Sequence, residues 1–380
     1  MERRKNPNDK FGFADLMKIK DFIDYEQPNE YIVESDRYSS KYSTPVLTAG
    51  HSFILGYINE NNGIYKKGPC IIFDDFTTSV HYVDFPFKVK SSAMKILTAK
   101  SNADLKYCYY LLLSLSNMPP NHKRQWISTT SEKNHLLPSI DKQISIVKQL
   151  DLISGTIANY TNQIENLNNL VKARFIELFG TVRENPYKYP TATLKEVCHK
   201  ITDGKHGGCE QEENSGYYYI GAREIYDGEI HYDTAPQIKY TDFSKDYRRC
   251  NIEQGDMVIV NTGATIGKSA IASSSLTERT LLQKSVALIK VKPNIISAEF
   301  LRYCYMANPS MYMVESASAQ PNLLLSKINT TVIYLPPMDL QLQFADFVQQ
   351  VDKSKLAVQQ SLEKTQLLFD SLMQEYFGEN

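Results

Sequence analysis

Apolar residues recur at alternating steps of three and four along two stretches of the chain. The first stretch runs from Ile146 to Leu178 and is interrupted only at Arg174. The second runs from Phe344 to Tyr376, with Lys355 and Thr365 as interruptions. A heptad of this kind is typical of helices that pack along a coiled-coil seam. The pattern therefore predicts two long helices that each bury one apolar stripe.

The two predicted helices are copies of one segment. Leu137–Gly180 returns without a gap as Leu335–Gly378, 198 residues further along the chain. Each copy opens on Leu-Pro, which disfavours helical geometry in the residue before proline, and closes on Phe-Gly, which suits a helix C-terminus. A helix from Asp141 to Phe179 would be about 58 Å long at 1.5 Å per residue. The repeat predicts an internal pseudo-two-fold arrangement in which the helices lie antiparallel.

A globular stretch precedes each helix, and we call residues 1–136 the first head and residues 181–334 the second head. Short apolar runs broken by Gly, Asn, Asp and Pro predict strands at Cys70–Phe73, Tyr217–Ile220, Met257–Val260 and Val286–Val291. Helices are predicted at Asp104–Ser114 and Ala298–Met306. The fold class is therefore α+β: two mixed α/β domains at 1–136 and 181–334, joined by long antiparallel coiled-coil helices at 137–180 and 335–380.

Composition limits the class of protein. The 380 residues with 42% hydrophobic content suffice for two cored domains and their connecting helices. Residues 1–13 are charged, and no later segment approaches the roughly 18 apolar residues of a membrane span. The six cysteines are scattered without metal-ligand spacing, which favours reduced thiols over a zinc site. These features predict a cytoplasmic protein without a bound metal or a membrane partner.

One segment resembles a nucleotide-binding loop. Gly263–Ser269 reads Gly-Ala-Thr-Ile-Gly-Lys-Ser, but it has three residues between its glycines, where a phosphate-binding P-loop has four. The histidines show no metal or catalytic-triad spacing. A nucleotide-driven enzyme stays open as an alternative, but the sequence favours a protein without catalytic activity of its own.

Charge is unevenly distributed along the chain. The net charge is −1, which by itself gives no drive for binding nucleic acid. The segment 239–292 has nine basic and five acidic residues, whereas the segment 339–380 has three basic and seven acidic residues. This asymmetry predicts that the heads face DNA and that the last helix faces protein.

Motifs in both heads and both helices resemble the DNA-specificity subunit of Type I restriction-modification systems. In the second head these motifs are Ile201–His206, Gln254–Val258, Asn261–Lys268, Ala319–Asn322 and Leu335–Pro337. In the first head they are Gly56–Ile58, Ile71–Thr78 and Val83–Phe87. The first head departs from the pattern, since Gln125–Ile127 stands where we align Ala319–Pro321 of the second head.

The resemblance implies a non-catalytic subunit that supplies the DNA address of a larger complex. Each head would be a target-recognition domain for one half of a split sequence in double-stranded DNA, and the paired helices would set the unread spacer. Two methyltransferase subunits would dock on the helices, and restriction subunits would join them. The chain itself would need no cofactor, because its partners would bind S-adenosylmethionine, ATP and Mg.

We predict DNA contacts from polar residues in loops between strands, because such side chains can reach base edges and phosphates. In the second head the candidates are Lys205, His206, Arg223, Thr262, Thr265, Lys268, Gln283 and Lys284. In the first head they are Lys66, Lys67, Thr77, Thr78 and His81. The main alternative is a coiled-coil scaffold without DNA sequence preference, in which these are ordinary surface residues.

Overall fold

A computed structural model describes residues 15–48, 52–116, 123–181, 185–308, 311 and 323–378. The chain divides into two compact units. The first unit comprises Met1–Thr161 and Gln360–Asn380, and the second comprises Asn162–Gln359. Each unit therefore contains one head and a part of each long helix. The limits of the heads at 1–136 and 181–334 remain a prediction, and the motif at 319–322 lies outside the described residues.

The first unit contains nine strands and one short α-helix in its described part, together with its share of the long helices. The strands are β1 Asp15–Lys18, β2 Ile23–Glu26, β3 Thr44–Leu47, β4 Ile54–Ile58, β5 Cys70–Asp74, β6 Val80–Val83, β7 Lys88–Val89, β8 Met94–Ala99 and β9 Asn134–Leu137. The helices are α1 Leu105–Ser114 and the long α2 Ile140–Phe179. The predicted strand at Cys70–Phe73 and the helix at Asp104–Ser114 are confirmed, with Asp104 as the N-cap residue that accepts from Tyr107 N.

The first head is built on an antiparallel sheet in the order β2-β8-β5-β6. Its inner strand β5 is buried along its length and is apolar from Cys70 to Phe73. Ile71 and Phe73 pack into a core with α1, while Cys70 and Ile72 pack into a second core on the other face. An unbroken apolar run is what a strand covered on both faces requires. A three-stranded sheet in the order β4-β3-β7, with β3 and β7 parallel, adjoins this second core.

The second unit follows a related plan. Its strands are β10 Thr191–Thr193, β11 Cys198–Asp203, β12 Tyr218–Ile220, β13 Ile225–Tyr226, β14 Glu229–Ile230, β15 Met257–Val260, β16 Ser269–Ile271, β17 Thr280–Leu282, β18 Val286–Val291 and β19 Val332–Tyr334. Its helices are α3 Leu194–Val197, α4 Tyr240–Cys250, α5 Ala298–Ala307, α6 Leu325–Thr330 and the long α7 Met338–Phe377. The predicted strands and the helix at Ala298–Met306 are confirmed to within a residue at each end.

The second head has an antiparallel sheet in the order β11-β18-β15-β16 and a parallel pair, β12 with β17. The central strand β15 is buried on both faces, as β5 is. Met257 and Ile259 belong to the core shared with α5 and the long helices, whereas Val258 and Val260 belong to a core on the opposite face. The two heads therefore share one sheet plan, although their sequences differ.

In each unit the beginning of one long helix lies beside the end of the other. In the first unit the Tyr376 hydroxyl of α7 donates to Gln149 Oε1 of α2 at 2.6 Å. In the second unit the ring of Phe344, near the start of α7, lies 5.5 Å from the ring of Phe179 at the end of α2. This is the order of antiparallel helices. The heptad positions are buried or half-buried wherever they fall in α2 and α7, so the predicted seam is confirmed.

A buried glutamine fixes the start of each long helix to its head. Gln143 and Gln341 are both fully buried. Gln143 Oε1 accepts from Asp104 N at 2.8 Å and its Nε2 donates to Pro138 O at 2.8 Å. Gln341 makes the equivalent bonds with Ser297 N at 2.8 Å and Pro336 O at 2.9 Å. The repeat seen in the sequence therefore includes the junction between helix and head.

Within the described residues, no helix is long and apolar enough to span a membrane. The same residues contain no cluster of three or more His, Cys, Asp or Glu side chains that could hold a metal ion.

The first head should lose stability in mild acid because of His135 in β9. This ring is packed against Phe22 and Phe377 and bonds the Tyr107 hydroxyl at 2.7 Å, and burial lowers its pKa to about 4. Since the unfolded chain binds the proton near pH 6.5, the stabilisation is present above that pH and is lost as the pH falls toward 4. We expect a loss of up to about 3 kcal/mol at pH 4.

Urea unfolding at pH 7 and pH 4.5, followed by the fluorescence of Trp126, measures this effect in the first head alone, because Trp126 is the single tryptophan. The variant His135→Gln should show a smaller loss between the two pH values. An equal loss in the variant and the original chain would contradict the assignment.

Candidate nucleic-acid interface

Strand ends meet at one edge of the second head's main sheet. β11 ends at Asp203, opposite Ala287 of β18, and β15 ends at Val260, opposite Val286. β16, which is antiparallel to β15, begins at Ser269. The ends of β11 and β15 and the beginnings of β16 and β18 therefore share an edge. We call its connecting residues, 203–206, 221–223, 261–268 and 283–285, the second loop edge.

The parallel pair β12 and β17 joins this edge through backbone hydrogen bonds. Gln283 N, just after β17, donates to Ile220 O at the end of β12 at 2.8 Å. Lys205 N donates to Leu282 O at 2.7 Å, and Lys284 N returns a bond to Lys205 O at 2.9 Å. Residues distant in sequence are thus held side by side by the main chain.

A glycine permits this close approach. Gly204 is buried, and a Cβ atom there would lie 2.2 Å from Leu282 O and 2.3 Å from Gln283 O. Only a residue without a Cβ lets the two backbones meet. The motif Ile201–His206 therefore has a structural reason for its glycine.

The loop 261–268 is a tight connection between two strands. Gly267 N donates to Val260 O at 2.9 Å and Lys268 N to Thr265 O at 3.2 Å, while Gly263 and Gly267 adopt positive φ values of 101° and 89°. The loop leads into strand β16, whereas a phosphate-binding P-loop leads into a helix whose N-terminus faces the phosphate. This geometry argues against the nucleotide-driven alternative.

The structure brings all the second-head candidates to this edge. They are Lys205 and His206 after β11, Arg223 after β12, Thr262, Thr265 and Lys268 between β15 and β16, and Gln283 and Lys284 after β17. The side chains of Arg223, Lys268 and Lys284 are exposed and form no ion pair with any described residue. They therefore offer free cations for phosphate or base contacts.

Other basic groups at the edge are paired with Asp246 and Asp203. Lys205 Nζ lies 2.7 Å from Asp246 Oδ2, and this hydrogen bond raises the pKa of Lys205. Asp203 pairs with His206 at 2.9 Å and with Arg249 at 2.5 Å. Burial favours a higher pKa for Asp203, but the bonds from His206 and Arg249 outweigh it and lower that pKa.

Some of the basic residues in 239–292 are neutralised by ion pairs. Lys239 pairs with Glu210 at 2.6 Å, and the largely buried Lys290 lies 2.7 Å from Asp256. Because Glu210 lies outside 239–292, its pairing with Lys239 offsets one positive charge that the count of this segment leaves unbalanced.

The first-head candidates are more dispersed. Thr77 and Thr78 lie in the turn after β5, where Thr77 Oγ1 donates to Asp74 Oδ2 at 2.8 Å, and Thr78 is buried with φ of 60°. Lys66 and Lys67 lie before the start of β5. Lys67 Nζ bonds both Glu26 carboxylate oxygens at 2.8 and 2.9 Å, which raises the pKa of Lys67.

His81 is half-buried in the first head. It lies on β6 with its ring stacked on Phe53 at 3.9 Å between centroids, and burial lowers its pKa. No sequence pattern indicates this packing, because Phe53 lies just before β4 and far from β6 along the chain. His81 is therefore better placed to support the sheet than to reach a ligand.

The sequence alignment of the two heads at Gln125 was wrong. Gln125 N donates to Asp75 O at 2.8 Å, and the equivalent bond in the second head runs from Leu323 N to Asn261 O at 2.7 Å. Gln125 therefore corresponds to Leu323 and not to Ala319. The same offset of 198 residues that relates the long helices holds here.

The second unit matches a known domain family. Residues 186–367 match the family model for the Type I restriction modification DNA specificity domain. The match covers 182 of the 380 residues, just under half of the chain. The matched region extends from just after α2 into α7 and includes the whole second loop edge.

Similar proteins support this assignment. The Type I restriction enzyme EcoR124I/EcoR124II specificity subunit of Escherichia coli is 44% identical to this chain over 164 residues. That match covers 40% of this chain and 41% of the relative, so the chain spans about two-fifths of the curated relative that it matches. The predicted resemblance to this family is confirmed.

Solved structures support the fold. The crystal structure of the S subunit of a Type I restriction-modification system from M. genitalium has a TM-score of 0.62 at 17% identity, with 100% of each chain covered. A chain from a structure of type I R-M system assembly and conformational transition has a TM-score of 0.51 at 16% identity, covering 94% of this chain and 97% of its own. At these identities the likeness concerns the fold alone, and it confirms the predicted α+β class.

Proposed function

We propose that this chain is the DNA-specificity subunit of a Type I restriction-modification complex. The match of residues 186–367 to the specificity-domain family carries the proposal. The convergence of free cations and polar side chains on the second loop edge supports it, because exposed Arg and Lys can bind phosphates and read guanine. The chain supplies the DNA address and performs no catalysis.

Each head reads one half of a split target in double-stranded DNA. The repeated sheet plan and the repeated glutamine junctions support two equivalent reading units on one scaffold. Half-sites reached from one face of the duplex are separated by about one helical turn or a multiple of it. The paired helices α2 and α7 set this separation, which is the unread DNA spacer between the two halves of the target.

The long helices also dock two methyltransferase subunits, one for each repeat, and restriction subunits join the complex. The partners bind S-adenosylmethionine, ATP and Mg. The duplication of the chain supports two copies of one partner, since equivalent surfaces bind equivalent chains. The complex acts in the cytoplasm, where its DNA target lies.

Deleting the gene from its native host should abolish N6-methyladenine at one split motif, two short blocks around a fixed gap. Long-read mapping of the methylome with and without the gene measures this. Restoring the gene on a plasmid should restore methylation at the same motif. An unchanged methylome in a host with active partner subunits would contradict the proposal and favour a scaffold role.

A further inference from the structure

The first head has an edge equivalent to the second loop edge. Three backbone hydrogen bonds of the first head each have a counterpart in the second head. Asp75 N donates to Ala93 O (3.1 Å) as Asn261 N donates to Ser285 O (2.9 Å), and Gln125 N donates to Asp75 O (2.8 Å) as Leu323 N donates to Asn261 O (2.7 Å). Lys90 N donates to Leu47 O (2.8 Å) as Gln283 N donates to Ile220 O (2.8 Å). These bonds join the turn after β5, the residue after β7 and the segment 123–126. We call the turn after β5, Lys90 and the segment 123–126 together the first loop edge.

Arg124 is an exposed cation at this edge. Its side chain is 59% exposed, and its Nε lies 3.9 Å from Asp75 Oδ2. That carboxylate is already balanced by Lys95, whose Nζ lies 3.0 Å from the same oxygen. The Arg124 charge is therefore not neutralised by Asp75 and remains available to a ligand.

The segment that carries Arg124 is fixed in place by the same carboxylate. Asp75 Oδ1 accepts from Gln125 N at 3.1 Å and from Trp126 N at 2.8 Å, and both Asp75 and Trp126 are about 1% exposed. A guanidinium attached to an anchored backbone loses less freedom on binding than one on a mobile loop.

The other first-head cations fit this edge less well. Lys67 is paired with Glu26, and Lys66 precedes β5, whereas the turn of the first loop edge follows it. Lys90 lies at the edge but pairs with Asp36. Lys95 is fully buried.

We propose that Arg124 is the residue through which the first head contacts DNA, and that Lys66 and Lys67 make no contact. This assignment rests on the proposed function. A guanidinium can bind a phosphate or bind guanine O6 and N7 in bidentate fashion. Asp75 acts as a positioning residue for the segment that carries it.

The test uses the full chain in complex with its methyltransferase partners and a synthetic duplex carrying the split motif mapped in the host. The variants are Arg124→Ala, Arg124→Lys, Lys66→Ala as a matched surface control, and Lys268→Ala as a reference in the second head. We expect Arg124→Ala to weaken binding about 10-fold or more, Lys66→Ala to change it less than 2-fold, and Trp126 fluorescence to show an intact first head in both.

Arg124→Lys and single-base changes in the duplex distinguish a phosphate contact from a guanine contact. If Arg124 binds a phosphate, Lys should retain most of the affinity and the motif should stay unchanged. If Arg124 binds guanine, the variant Arg124→Lys should relax the base preference at one position in one block of the motif. Either result supports the assignment.

Equal affinities for Arg124→Ala and Lys66→Ala, with Lys268→Ala weakened, would overturn the inference and leave the proposed function standing. Absence of preference for the split motif in the original complex would overturn both.

Discussion

Replacing Asp75 by Asn should destabilise the first head by about 3–5 kcal/mol, because it leaves the Lys95 ammonium buried without its counter-charge. Lys95 and Asp75 are 0% and 1% exposed and their charged atoms lie 3.0 Å apart. Gln27 Oε1, at 3.1 Å from Lys95 Nζ, can keep one hydrogen bond but supplies no charge. Urea unfolding followed by Trp126 fluorescence measures the loss in this head.

The second head suggests the control. Asn261 stands at the position of Asp75, and Ala287 stands at the position of Lys95. The same sheet plan therefore exists without this ion pair. Lys95→Met alone should also be strongly destabilising, because it leaves the carboxylate unpaired. The double variant Asp75→Asn with Lys95→Met should lose clearly less than the sum of the single losses. Additive losses would show that the two charges are not coupled.

Replacing Gly204 by Ala should destabilise the second head by about 1–3 kcal/mol and impair reading of one DNA block. The new Cβ would meet Leu282 O and Gln283 O at 2.2 and 2.3 Å, and neither backbone atom can move without disturbing the bonds that hold Lys205 and Gln283 in register. Gly204→Ala should therefore lower both the stability of the second head and its recognition of DNA.

Gly208→Ala is the matched control, since a Cβ at Gly208 would meet no heavy atom within 4 Å. Thermal unfolding by circular dichroism and methylome mapping compare the variants. We expect a lower melting temperature and weakened methylation at the split motif for Gly204→Ala only. Equal behaviour of the two variants would mean that the close approach at Gly204 is not needed.

Much of the architecture could be predicted from the sequence because it depends on local periodicity. The heptad from Ile146 to Leu178 and its repeat specify two long helices whatever surrounds them. Unbroken apolar runs such as Met257–Val260 and Val286–Ile289 specify strands covered on both faces. The family resemblance followed from short motifs that recur in order along the whole chain.

The candidate interface was predicted only in part. The second-head candidates lay in family-like motifs, and the sheet brought them to one edge. In the first head, sequence alone could not show that Lys67 pairs with Glu26 or that His81 stacks on Phe53. It also could not show that Arg124, in a segment aligned incorrectly, lies beside Asp75.

The sequence by itself thus determined the repeat, the long helices, the class of each head and the family resemblance, because these are encoded in spacing and short motifs along the chain. Only the tertiary structure decided which charges are paired and which are free. Asp203, Asp246 and Asp75 neutralise or position cations that lie 40 or more residues away or in another strand. Strand register creates those neighbours, and register is a property of the folded sheet and not of any local segment.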